Sequence, residues 1–240
     1  MGNICRPFAF GHRGHAARRV RAALVLVVIF LLLLMHNGAS AQVGTIYPVD
    51  ESGKDHSFAV FRAQLLTALK RRDRRLLMSV VHPKVKNSFG DNDGAANFVK
   101  QWHPERPDSQ VWDVLLTAIE LGGTFEGSGA KKTFCGPYVY SRFPDDLDPF
   151  THEVIIAKNV TVRAKPAASA PIKSVLSYAI VKVPDVPEQS NDEQAGWVKV
   201  MLKSGEGYVP KSLIRRPLDY RFCFQRVRQK WLLTLLVAGD

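Results

Sequence analysis

The side chains able to do chemistry are few and scattered. Beyond residue 41 the histidines are His56, His82, His103 and His152, with no HExxH and no CxxC, so no zinc-binding spacing is present. Asp91-Asn92-Asp93-Gly94 has the composition of a calcium loop. Its register fails, because Phe89 would be the first ligand and Lys100 would stand where a bidentate Glu belongs. It reads as a turn. Cys135 lies between Phe134 and Gly136-Pro137, not at a helix start where a thiolate is activated. No Gly-x-Ser-x-Gly elbow and no GxxxxGK phosphate loop occurs. Asp145, Asp146 and Asp148 offer paired carboxylates, but a Pro-flanked stretch points to solvated linker charges. No catalytic residue, metal or cofactor is therefore expected.

Charge offers more. The 240 residues carry 33 Lys+Arg against 22 Asp+Glu, a net +11 with a pI near 9.7, which taken raw suggests nucleic acid. The excess is unevenly placed. Arg6, Arg13, Arg18, Arg19 and Arg21 precede an unbroken apolar run from Ala22 to Met35, and Ala39-Ser40-Ala41 follows. A positive start, a short apolar core and a small-x-small end are the three parts of a secretory signal peptide. As a helix the run spans about 21 Å, short of a bilayer core of about 30 Å. Cleavage is expected after Ala41. The remaining 199 residues hold 28 basic and 22 acidic side chains, a modest +6. The expectation is a periplasmic or secreted protein with no nucleic-acid partner and no membrane association after cleavage. An anionic envelope polymer suits the residual charge better.

Export leaves Cys135 and Cys223 in an oxidising compartment, with one intramolecular pairing available. Two reduced, buried thiols are the alternative.

The elements that would position these residues change character midway. Residues 42–55 read as a flexible leader. Phe58, Phe61, Leu65, Leu66 and Leu69 then mark one face of a helix, which Ser57 would cap. Lys70, Arg71, Arg72, Arg74 and Arg75 surround Asp73 at its end. They make either a phosphate grip or a solvated corner. A second apolar face at Leu76, Leu77, Val80 and Val81 stops at His82-Pro83, and Val85 to Phe89 suits a strand. Helices are expected over 95–103 and from Ser109 to Gly122-Gly123, then a strand at Cys135. From Glu153 short β-rich runs follow one another, separated by polar turns, with a longer polar loop from Pro184 to Ala195. Two final strands, Tyr220–Arg226 and Trp231–Val237, flank a turn at Arg228-Gln229-Lys230.

Three segments in the second half carry a resemblance. Val160-Thr161-Val162-Arg163-Ala164-Lys165-Pro166, Gly196-Trp197-Val198-Lys199-Val200, and Gly205-Glu206-Gly207-Tyr208-Val209-Pro210 through Ile214 resemble, in order, the motifs of bacterial SH3-like domains. The similarity covers about residues 154 to 216. It departs from the pattern at Ala164, where Ser is common, and in the long 184–195 loop. The whole chain also resembles exported SH3-like proteins of alphaproteobacteria, sharing Ser88 to Asp91 and Gly136 to Tyr140. The last hairpin and the Ala68–Leu77 segment are similar to cone-shaped, nuclear-transport-factor-like α+β domains.

The fold class expected is thus an α+β N-terminal domain (56–150), followed or interrupted by a small all-β SH3-like barrel (151–216). Residues 217–240 would form a hairpin, and if the barrel is an insertion this hairpin returns to the first domain, tied there by a Cys135–Cys223 bridge. The resemblance implies non-enzymatic binding of peptidoglycan or of an envelope protein or peptide. The loop Arg163–Ile172 with Tyr178, Trp197 and Tyr208 would supply its binding residues, and Trp197 and Tyr208 also suit aromatic packing inside a small barrel. The alternative is a small-molecule or catalytic pocket within the cone-shaped domain, lined by Asp91, His103 or Tyr138.

Overall fold

The computed structural model describes residues 43–184 and 196–239. The expected signal peptide, and residues 185–195 of the expected loop, lie outside them. The described chain is α+β, with helices and mostly antiparallel strands in two sheets.

The first layer starts with helix α1 (His56–Lys70). Its cap is Asp55, not the expected Ser57: the Asp55 carboxylate accepts the Phe58 N–H at 3.2 Å. Ser57 instead donates its hydroxyl to Asp55 and accepts the Trp231 indole N–H at 3.1 Å. A second aspartate, Asp73, caps the short helix α2 (Arg74–Val80) by accepting the Leu76 N–H. The turn between them keeps Arg71, Arg72, Arg74 and Arg75 exposed.

Helices α3 (Ala95–Trp102) and α4 (Val111–Glu120) bury Phe98, Trp102, Trp112, Leu115 and Ile119. They cover a five-stranded sheet in the order β2-β13-β12-β4-β3: β2 (Val81–Lys86), β3 (Thr124–Glu126), β4 (Thr133–Gly136), β12 (Arg221–Val227) and β13 (Lys230–Val237). Strand β2 begins earlier than expected and contains Pro83. It is an edge strand, where a missing N–H is tolerated. The turn between β12 and β13 uses Arg228 and Gln229, both at positive φ, as a two-residue turn of right-handed-twist type requires. Gly123 has no room for a side chain, since a Cβ there would lie 2.2 Å from the Cys135 carbonyl oxygen. That close approach seats the end of α4 against β4.

The interior of this layer is aromatic. The Phe58 ring lies within 4.3–6.0 Å, centroid to centroid, of Phe61, Phe125, Phe134, Phe224 and Trp231. Rings at these spacings attract one another beyond the area they bury.

The second sheet runs β11-β5-β8-β9-β10-β6-β7. Its strands are β5 (His152–Ile155), β6 (Val160–Arg163), β7 (Ile172–Leu176), β8 (Ala179–Lys182), β9 (Trp197–Leu202), β10 (Gly205–Pro210) and β11 (Ile214–Arg215). Among the described residues the sheet does not close, so in place of the expected barrel there is an open sheet with β11 and β7 at its ends. Its core is aliphatic: Ile155, Val160, Val162, Leu176, Val181, Val198, Val200 and Val209. Trp197 and Tyr208 are not in it. The β-branched residues fill the narrow interior, and the two aromatics point to the other face.

The segment expected as a flexible leader is docked. Strand β1 (Gly44–Thr45) pairs with β8, and Ile46 is buried. Ile46 joins Tyr138, Val139, Val154 and Ile180 in a third small core. Strands β5 and β8 therefore bury both faces, one against each core. The Asp50 and Glu51 carboxylates extend this docking, to Arg62 and to the Phe125 N–H.

Strand β12 pairs antiparallel with β4, placing Cys223 directly opposite Cys135, and the two are joined by a disulfide. The last hairpin thus lies in the same sheet as β2, β3 and β4, and the second sheet is spelled out between them in sequence.

Two outcomes are expected. Closing a loop with a separation of 88 residues stabilises by roughly 4–5 kcal/mol in the chain-entropy model. Removing both thiols by Cys135→Ala with Cys223→Ala should lower the melting temperature markedly under oxidising conditions. An unchanged Tm contradicts this. The Asp55 carboxyl is lowered to about 2 from 3.8, first by the Ser57 hydroxyl and also by Lys132 and the Phe58 N–H. A lowered folded-state pKa gives stability that is complete above about 4 and fades as pH falls toward about 2. Asp55→Ala should cost about 1 kcal/mol at neutral pH. That difference should shrink on acidification in denaturant titrations, and a pH-independent difference would argue against the cap.

Candidate functional site

The second sheet has two faces, and strand alternation separates them. Val198, Val200, Val209 and Val162 point into the core. Trp197, Lys199 and Met201 on β9, Glu206, Tyr208 and Pro210 on β10, and Thr161 and Arg163 on β6 point the other way. Direct register then builds a row across three strands: Arg163 faces Tyr208, and Tyr208 faces Lys199. Beside Arg163 the row continues to Ile172, which is 55% exposed, and Thr161 faces Val175, 54% exposed. Pro210 sits opposite Trp197. The result is a half-exposed patch with a central phenol, two cations and flanking apolar side chains.

Its electrostatics are local. The Lys199 ammonium lies 5.8 Å from the Tyr208 ring centroid and 3.5 Å from a Glu206 carboxylate oxygen. Partial burial works against the Lys199 charge, and Tyr208 and Glu206 more than offset it, so its pKa is raised. Arg163 donates to the Ala170 carbonyl oxygen at 2.8 Å, bracing the loop that joins β6 to β7. A cation beside an aromatic face and next to water-exposed aliphatic groups suits stacking on a sugar ring or holding a peptide side chain.

Of the expected binding residues, the structure brings Arg163, Trp197 and Tyr208 to this face. Tyr178 is elsewhere, in the turn between β7 and β8 at φ 53°. Its ring packs edge-on against Tyr47 at 5.7 Å, and its carbonyl accepts the Ile46 N–H. It holds the docked N-terminal strand. Lys199 and Val175 also belong to the patch and were missed. Period-two alternation from Trp197 already assigns Lys199 to the same face, whereas Val175 needs the β6–β7 register.

The alternative pocket residues do not converge. Asp91 is in an exposed turn, and His103 ends α3 on the surface beside Glu105 at 3.2 Å. Tyr138 is buried in the third core, where burial first and Tyr178 second push its hydroxyl up to about 12. Asp148 caps a turn by accepting from the Phe150 N–H and the Thr151 hydroxyl, while Asp145 and Asp146 are exposed. In the basic corner, Lys70 pairs with Glu120 and Arg72 with Asp113. No group of three or more His, Cys, Asp or Glu able to hold a metal occurs among the described residues.

Two further features escaped the reading of the sequence. Ser128 and Lys131 form a Ser-x-x-Lys spacing, but both are exposed on a 3-10 turn between β3 and β4. The segments Ser88–Asp91 and Gly136–Tyr140 meet in space. Phe89 and Tyr140 each place a ring centroid 5.3 Å from the guanidinium carbon of Arg221, which is buried at the start of β12. Their role is to house that cation and fix the returning hairpin.

No helix among the described residues is long and apolar enough to cross a membrane. Comparison with protein-family models, with curated proteins and with solved structures finds no match to this chain.

Proposed function

We propose that this is an exported protein of the bacterial cell envelope, periplasmic or secreted after cleavage at Ala41, that binds a cell-wall polymer without catalysis. The β-rich segment acts as an SH3-like module, and an envelope protein or peptide is the other ligand it suits. The observation that carries the proposal is the Arg163–Tyr208–Lys199 row on a face that the protein's own cores leave half exposed. Three family-like motifs in order, short antiparallel strands on an aliphatic core, and a disulfide suited to an oxidising compartment support it. The residual +6 charge favours an anionic polymer.

Sedimentation with purified peptidoglycan sacculi tests this. The disulfide-intact protein should co-pellet, and Tyr208→Ala or Lys199→Gln should each cut the bound fraction, by about tenfold for loss of the aromatic contact. Tyr178→Ala should leave binding unchanged while lowering stability. Protein that stays in the supernatant, or Tyr208→Ala that pellets like the parent, would overturn the polymer assignment.

A further inference from the structure

A cleft of about 500 Å³ opens where α4 meets the β11–β5 end of the second sheet. Thr117, Glu120 and Leu121 line one side, and Glu153, Lys211, Ser212, Arg215, Arg216 and Asp219 the other. By formal charge the cleft is balanced. By pairing it is not. Glu153, 3% exposed, accepts from Arg216 Nε at 2.6 Å. Glu120 is held by Lys70 at 3.0 Å, and Asp219 accepts the Arg216 N–H. Each cleft carboxylate therefore already has a partner.

Two cations keep capacity to spare. Among the described residues Lys211 makes no ion pair and is exposed. The Arg215 guanidinium donates from Nη2 to the Tyr220 carbonyl oxygen at 2.7 Å and feels the charge of Asp219, while its Nε is buried with no acceptor. An arginine has five N–H donors in a planar fork, so most of this one's hydrogen-bonding capacity is unspent. Burial costs this guanidinium part of its solvation, which an anion in the cleft would offset through its charge. The hydroxyls of Thr117 and Ser212 add further donors, and Leu121 and Ile156 add an apolar wall.

We infer that this cleft binds the terminal carboxylate of a short peptide, held by Arg215 and Lys211 with an apolar side chain against Leu121 and Ile156. The apolar wall favours a carboxylate that carries a side chain over a bare inorganic anion, and the volume fits a ligand of dipeptide size. The site is separate from the Arg163–Tyr208–Lys199 face and stands or falls independently of it.

Isothermal titration of the disulfide-intact protein with N-acetyl-alanyl-alanine, its C-terminal amide and inorganic phosphate tests the assignment. The free acid should bind saturably, and the amide about tenfold more weakly, as expected for one lost charge-assisted contact. Lys211→Gln and Arg215→Lys should each weaken the acid by a similar factor. Tyr208→Ala should leave it unchanged. Lys211 is on the surface, so its substitution keeps the test valid if Arg215→Lys proves unstable. Absence of binding, equal binding of acid and amide, tighter binding of phosphate, or indifference to Lys211→Gln would each overturn the inference.

Discussion

The register of β12 against β4 is the constraint on which the rest depends. It sets Cys223 opposite Cys135, Phe222 opposite Gly136 and Phe224 opposite Phe134. A slip of one residue would turn Phe222 and Phe224 out of the aromatic core and part the two sulfurs. The disulfide holds that register across a separation of 88 residues. Everything between the cysteines, including all of the second sheet but β1, must therefore leave the first sheet and come back to it. The docking of Ile46, Val154 and Ile180 around Tyr138 closes the neck of that excursion.

The two sheets solve packing in different ways, and this decides where a ligand face is available. The first is covered by helices and filled with rings, so its interior is committed to stability. The second is too narrow for rings inside and uses valine and isoleucine. Its aromatic and long cationic side chains are consequently displaced to the outer face. Arg163, Tyr208 and Lys199 are aligned there by strand pairing, which positions them more rigidly than a loop would. The proposed binding surface is a by-product of how a small aliphatic core is made.

Much of this was legible in the sequence, for physical reasons. The helical periodicity of Phe58 to Leu69 and of Trp112 to Ile119 survives because each faces a continuous core. The turn at Arg228 and Gln229 was placed correctly because a hairpin between two apolar runs needs one. The cap was misplaced by two residues because Asp55 and Ser57 both suit it, and the distant Trp231 indole decides between them. The leader looked free because its one buried side chain, Ile46, gives no periodic signal. Trp197 and Tyr208 suited either a ligand face or the barrel interior, and alternation puts them outside. Of the expected site, three residues meet on one face, and Tyr178 is withdrawn by a contact with Tyr47 that spans the chain. The cleft at Arg215 was invisible, since its lining comes from distant segments and its significance lies in which charges are already paired.

The last hairpin should belong to the first sheet in energy as it does in space. Residue-resolved native-state hydrogen exchange on the disulfide-intact protein measures this directly. Amides of β12 and β13 should exchange together with those of β4, at the slowest rates in the molecule. Those of β6, β7, β9 and β10 should open as a different set. Exchange of β12 and β13 in step with β9 and β10, and apart from β4, would contradict the account.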